Sequence, residues 1–426
     1  MSPFNNHLEV AGFEKILLLK FSICVLFSVG VWVIYTQKAR LSSIPNSKKA
    51  LFFLLSFIIL RILPFLIIYV ILDFSARSDV RMFYDSALGA LKLGFVYRDF
   101  ETAYSPIFPY LTALPLLIWD SAKAIVLEMV LVEGIILWFT YKYYKNSLGN
   151  YYLLLYLMLP APFVFSILGG QEDIWMWAFV LWTCFILRKN SNWLLAGLIM
   201  GLGLLTTKAL LVLYLPALFI FAKKPWQFML GLLIVGIPSL AFMYYHSELL
   251  FLSPIQQAND PRTPNIWSVL HPLTNGFVPI GPKILNWVGL VSIQALGIFF
   301  AIKSKKTSKP HYFLVFLFLI ISVWLMIIQQ SSLSNYAYVF LMPMVFFFGE
   351  QTNKKWLILL LLLNLFVVIQ PPIWWGIGMP IFHSLSDLNS GYKVLEYITE
   401  IGVVVLLFAF LRIIIKNFKT TNNSNV

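Results

Sequence analysis

Charge is scarce in this chain. Of 426 residues, 12% are charged and 60% are hydrophobic, whereas a soluble domain carries about 25% charged residues. A water-soluble core of this size could not hide that much apolar surface, so a soluble enzyme is excluded, and so is a disordered chain. Cysteine is nearly missing. Cys24 and Cys184 both fall inside apolar runs and offer neither a disulfide framework nor a metal knuckle. The five histidines are scattered without ligand spacing, so no zinc site is expected. No glycine-rich loop for a nucleotide's phosphates is present. Acid is scarcer than base, which leaves a formal charge of +13. That excess does not imply nucleic acid, because the basic residues sit in short clusters between long apolar runs.

Those runs lie at about 14–36, 51–72, 121–140, 150–168, 173–187, 193–206, 209–222, 227–245, 284–302, 311–328, 336–349, 356–370 and 395–415. A spanning helix needs roughly 20 apolar residues, with about 17 as the usual floor. The expectation is an all-α polytopic membrane protein with about 13 transmembrane helices, several of them short. The first run follows Glu9 and Glu14 and has no basic n-region or small-residue cleavage site, so it reads as a spanning helix.

Every second loop is basic. One side collects Lys38, Arg40, Lys48 and Lys49, then Lys142 and Lys145, Arg188 and Lys189, Lys223 and Lys224. It continues with Lys303, Lys305, Lys306 and Lys309, then Lys354 and Lys355, Lys416 and Lys419. The positive-inside rule makes this side cytoplasmic. The other side receives Asp73, Asp79, Asp85, Asp99, Glu101, Glu172, Asp173, Glu248, Asp260 and Asp387, and the cytoplasmic loops hold little acid beyond Glu350. Acid contributes little to orientation, so its concentration on one face calls for a functional explanation. The same alternation predicts a break within 193–222. A single helix there would put Arg188/Lys189 and Lys223/Lys224 on opposite sides, whereas two short helices leave Thr206, Thr207 and Lys208 at an outward tip.

Outward loops at about 73–120, 246–283 and 371–394 are long, and long loops in compact domains are usually functional. No internal repeat is visible, and the polar tail Thr420–Val426 reads as disordered. In the first loop, a helix through Asp73 would align Asp73, Arg77, Arg81 and Asp85 as one charged ladder. Asp79 would then stand some 200° from Arg77, unpaired, with Phe83 one turn on. An unpaired carboxylate beside an aromatic at a membrane surface suits a general base. The plainer alternative is that Ser78 or Asp79 is a helix N-cap. Pro106 and Pro109 break any span there, so 106–119 reads as an amphipathic interfacial helix.

The order of motifs is Asp79-x5-Asp85, Gly94-x2-Tyr97, Tyr104-Ser-Pro106, Pro160-Ala-Pro162, Gly170-Gln171-Glu172-Asp173 and Ala196-Gly197-x3-Gly201-x6-Lys208. This order resembles the GT-C integral-membrane glycosyltransferases. It is most similar to the branch with the GPI mannosyltransferase I family and bacterial polyprenyl-phosphate-mannose-dependent enzymes. The resemblance covers about 51–225. It implies a catalytic module there, preceded by an extra helix and basic loop at 1–50 and followed by a variable helical module at 226–426. It also implies transfer of a hexose from a polyprenyl-phosphate sugar to a lipid-linked or glycan acceptor on the non-cytoplasmic face, usually with inversion. Asp79 matches the family's loop-one aspartate, and Asp79 and Asp85 are the expected catalytic carboxylates. Relatives often carry Asp-x-Asp there, whereas Arg77 stands two before Asp79 here. That departure fits a mechanism without a metal cofactor, in which cations hold the phosphate.

Elementary chemistry names the other candidates. The attacking hydroxyl must lose a proton, and the leaving phosphate needs a fixed cation. Lys208 is one candidate, with snorkelling as the plainer reading. Arg262 and Lys393 are others. Gln171, Glu172 and Asp173 suit sugar hydroxyls, or Asp173 pairs with Lys208, although a helix N-terminus alone would also favour the acids. Trp175 and Trp177 are expected as a sugar platform, Tyr104 as part of the substrate site, and Trp267 with His271 at the lipid phosphate. Gln329, Gln330, Asn335 and Tyr336 are placed to meet the acceptor. The missing nucleotide loop favours a lipid-linked donor. A transporter, flippase or polymerase of lipid-linked saccharides is the competing expectation. No glycosylation sequon falls in an outward loop, which leans toward a bacterial inner membrane over an endoplasmic reticulum one.

Overall fold

The computed structural model describes residues 12–144, 147–247, 260–305, 309–348 and 353–423, without the side chains of Asn46, Phe348 and 419–423. Glu9, Lys145, Glu248, Lys306 and Glu350 lie outside the described residues, as does the tail beyond 423. The chain is 77% helical, with no strand among the described residues. In order, the helices are α1 (Phe13–Thr36), α2 (Lys49–Ile71), α3 (Val80–Leu91), α4 (Phe108–Ala113), α5 (Ala122–Tyr143), α6 (Gly149–Leu157), α7 (Pro160–Leu168), α8 (Trp175–Lys189) and α9 (Trp193–Thr206). They continue with α10 (Leu215–Phe221), α11 (Pro225–Ser247), α12 (Ile266–Leu273), α13 (Lys283–Ser304), α14 (Pro310–Ile328), α15 (Ala337–Phe348), α16 (Lys354–Gly376) and α17 (Gly391–Asn423). The last helix runs into the polar tail that was expected to be disordered.

The protein is an all-helical polytopic membrane protein. Eight described helices are long and apolar enough to cross a bilayer, namely α1, α2, α5, α11, α13, α14, α16 and α17. The pair α6 and α7, bent by 59°, makes a ninth if it counts as one span. The expected runs at 173–187, 193–206, 209–222 and 336–349 form helices below the usual spanning length. Helix α14 is the axis of the bundle, buried from Phe313 through Val323 and packed on α8, α13, α15 and α17.

Two helices depart from ideal geometry for visible reasons. Pro64 stands in mid-α2, where it has no N–H to donate, and wide π-turns flank it at Ile58–Ile62 and Leu66–Ile71. Between α6 and α7, Leu159 precedes Pro160 and is extended, which interrupts the expected run at 150–168. Both sides of that break are capped from other helices. Arg61 Nη1 donates to Leu157 O at 2.9 Å, and Ala161 N–H donates to Asn364 Oδ1 at 3.0 Å. Backbone groups freed at membrane depth need such partners.

The alternating loops do sort to two ends. At one, Asn150 Nδ2 donates to Leu41 O, Arg188 to Tyr143 O, and Cys184 to His311 O. This end carries basic loops. At the other, Ile107 N–H donates to Leu205 O, Arg262 N–H to Gln330 O, and Gln171 reaches Asp79 and Asn335. This second end holds the acidic loops.

Candidate functional site

The acidic end gathers six segments. The first loop is not helical before Val80. Residues 73–77 are irregular, and both Asp73 and Ser78 have positive φ, so the ladder from Asp73 to Asp85 does not form. Exposed Asp73 pairs instead with Lys123, which holds its carboxyl below the usual range. Asp85 is exposed on α3 and joins no hydrogen bond or ion pair among the described residues. It stands apart from the cluster.

Asp79 is the residue before α3, as the plainer reading had it, but its side chain makes no capping bond. Its Oδ2 accepts from Gln171 Nε2 at 3.1 Å, and its Oδ1 meets no donor among the described residues. Gly170 sets this approach. It has φ +55, and a Cβ there would meet Val80 Cγ2 at 2.4 Å. Only glycine lets the start of α3 lie against the chain before Gln171. Gln171 Oε1 accepts from Asn335 Nδ2 at 2.5 Å, and its amide also reaches Ser78 Oγ at 3.2 Å. Asn335, Gln171 and Asp79 thus form one relay.

Lys208 lies at the break between α9 and the 3-10 turn Ala209–Tyr214, where the charge pattern predicted an interruption. It is not a lone cation. Its Nζ lies 2.5 Å from Asp173 Oδ1, 3.1 Å from Glu172 Oε1 and 4.7 Å from the Tyr336 ring centre. Burial pulls the ammonium down, and the two carboxylates outweigh it and hold it well above its ordinary value. Burial pushes the Glu172 carboxyl up to about 7, and Asp173 upward as well. Glu172 is 1% exposed, and beyond the Lys208 ammonium and its own backbone N–H its carboxylate meets no donor among the described residues; Asp173 Oδ2 meets none.

Tyr104 completes the group. Its ring meets Phe83 edge-on at 4.8 Å and Phe108 at 4.9 Å. Burial, with the charges of Asp79, Glu172 and Asp173, pushes its phenol well above the ordinary value. Half-buried Arg262 lies within electrostatic reach of Tyr336 and has no ion pair among the described residues.

Other expected members lie elsewhere. His271 is engaged on both ring nitrogens, donating from Nδ1 to Val278 O at 2.6 Å and contacting His383 Nδ1 at 2.9 Å through Nε2. No donor remains on it for a phosphate. Trp177 is core, with Nε1 donating to Thr140 Oγ1 at 2.9 Å, and Trp175 packs on Phe108. The site aromatics are Tyr104 and Tyr336 instead. Trp267 donates to Ile328 O, and Gln330 is tied to Gly281 and Pro282. Lys393 bonds Asn389.

Ionisable residues also lie inside the spans. Arg61, Glu133, Glu396 and Glu400 are all 0% exposed. Their only sequence signal is charge inside an apolar run, which is functional by default in membranes. Among the described residues no group of three or more His, Cys, Asp or Glu is placed to hold a metal ion. No family model matches the chain, and neither a curated protein nor a solved structure matches it.

Proposed function

We propose that this protein is a membrane glycosyltransferase that moves a hexose, with mannose as the expected sugar, from a polyprenyl-phosphate carrier to a lipid-linked or glycan acceptor. The observation that carries the reading is Asp79. One carboxylate oxygen is fixed by Gln171 and the other is open, beside three polar groups suited to sugar hydroxyls: Glu172, Asp173 and Tyr104. In the reaction, the acceptor oxygen bonds to the anomeric carbon as the bond from that carbon to the phosphate oxygen breaks. The hydroxyl proton passes to Asp79 and polyprenyl phosphate leaves, with inversion at carbon. The resemblance of the motif order to GT-C enzymes supports the same reading.

The geometry changes one assignment. Lys208 is neutralised by Asp173 and Glu172, so its role is to position them. Arg262 is the better cation for the leaving phosphate. The test is transfer from a synthetic polyprenyl-phosphate hexose by the purified protein in nanodiscs. Product formation with inverted stereochemistry supports the reading, and no transfer with any polyprenyl-phosphate hexose counts against it.

A transporter of lipid-linked saccharide is the second reading. The 59° break at Pro160 and the buried charges of Arg61 and Glu133 favour it. Flipping of a labelled lipid-linked sugar across proteoliposomes, without bond transfer, would select it.

A further inference from the structure

Helix α17 carries two carboxylates one turn apart, Glu396 and Glu400, each 0% exposed. They lie ~8 and ~14 Å along the axis from Gly391, below the acidic end of the bundle. Glu396 Oε1 accepts from Gln370 Nε2 at 2.6 Å and from Thr263 Oγ1 at 3.4 Å. Gln370 Oε1 accepts in turn from Ser334 Oγ at 2.6 Å. The other oxygens are poorly served: among the described residues Glu396 Oε2 has no hydrogen-bond partner, and the Glu400 carboxylate, shut from solvent, has only the Ser268 hydroxyl near it.

Nothing cationic answers them. Among the described residues neither carboxylate has a Lys, Arg or His nitrogen within ion-pair distance. Helices α12, α14 and α16 pack on α17. The titratable group that faces the pair is Tyr397, whose hydroxyl is committed to Val269 O at 2.8 Å. His271 on α12 is committed to Val278 and His383, and Lys393 to Asn389. The remaining neighbours, Thr263, Ser268 and Gln370, are neutral.

Two ionised carboxylates in mutual range repel one another, and each is costly in an apolar site. A single proton removes one buried charge and with it the repulsion between the two groups. We propose that Glu396 and Glu400 form a proton-binding site that holds at least one proton at neutral pH. The inference is independent of the transfer reading and of the Asp79 cluster.

Infrared spectroscopy of the full chain in nanodiscs, titrated in pH, tests it through the carbonyl stretch of a protonated carboxylic acid. The expected result is such a band at neutral pH, sensitive to deuterium exchange and vanishing only in alkali. Glu396→Gln and Glu400→Gln each shift it or change its intensity, and the double variant removes its contribution. Either single variant suffices if the double variant does not fold. No protonated band in the wild type overturns the proposal, and so does a band untouched by either variant. A sodium-dependent spectral change without a protonated band overturns it in favour of a bound metal cation.

Discussion

Two buried ion pairs in this molecule are built differently. Arg61 and Glu133, both 0% exposed, close on themselves. Arg61 Nε and Nη2 hold both Glu133 oxygens, Nη1 donates to Leu157 O and Leu60 O, and Tyr156 adds a bond to Glu133 at 2.9 Å. In the cluster of Lys208, Asp173 and Glu172, by contrast, Asp173 Oδ2 has no hydrogen-bond donor among the described residues, and the Glu172 carboxylate has only the Lys208 ammonium and its own backbone N–H near it. Both pairs are dehydrated, but only the second keeps bonding capacity in reserve. A pair with every valence filled holds helices, and here it braces the α6–α7 break. A pair with open valences is a place for a ligand's hydroxyls.

That contrast can be broken by substitution. Arg61→Ala strands Glu133 and frees Leu157 O, so it should cost about 3–5 kcal/mol and remove most folded protein, as read by thermal unfolding and gel filtration. A stable, monodisperse variant would dissolve the contrast. Lys208→Ala should cost less, about 2–3 kcal/mol, because its side chain is 16% exposed and sits at the bundle's end. Arg262→Ala should raise the donor KM about tenfold with little change for the acceptor, since a hydrogen bond to a charged group contributes roughly 1.5–3 kcal/mol. Equal effects on both substrates would remove it from the phosphate.

Glu172 supplies a pH test. Burial raises its carboxyl from 4.5 to about 7, so the folded chain binds that proton more tightly than the unfolded one. The stabilisation is fully present below about 4.5 and is lost as pH rises through about 7. Wild type should therefore lose melting temperature relative to Glu172→Gln across that window. Parallel melting curves would contradict the assignment. The smallest expected effect is that of EDTA, which should leave transfer rates essentially unchanged. Loss restored by a divalent ion would call for a metal.

Much of this arrangement is legible in the sequence. The alternation of basic loops places the break at Lys208 and sends Gln171, Asp173 and Asn335 to one end, and Asp173 does pair with Lys208. The rest fails for physical reasons. The ladder from Asp73 was read at helical spacing, but the backbone turns left-handed at Asp73 and Ser78. His271 and Trp177 carry side chains rich in function elsewhere, and here they satisfy local backbone and core partners. Arg61 and Glu133 are 72 residues apart, so nothing local announces their pairing. Glu396 and Glu400 stand at i, i+4 in the sequence, but their apolar run looks like any other spanning helix.

The most direct test of the proposed transfer site is Asp79→Asn, assayed with polyprenyl-phosphate hexose at equal amounts of folded protein. Loss of a general base should lower turnover by about 10²–10⁴-fold while melting temperature and donor binding hold. Turnover equal to wild type would remove the carboxylate from the chemistry and the account with it.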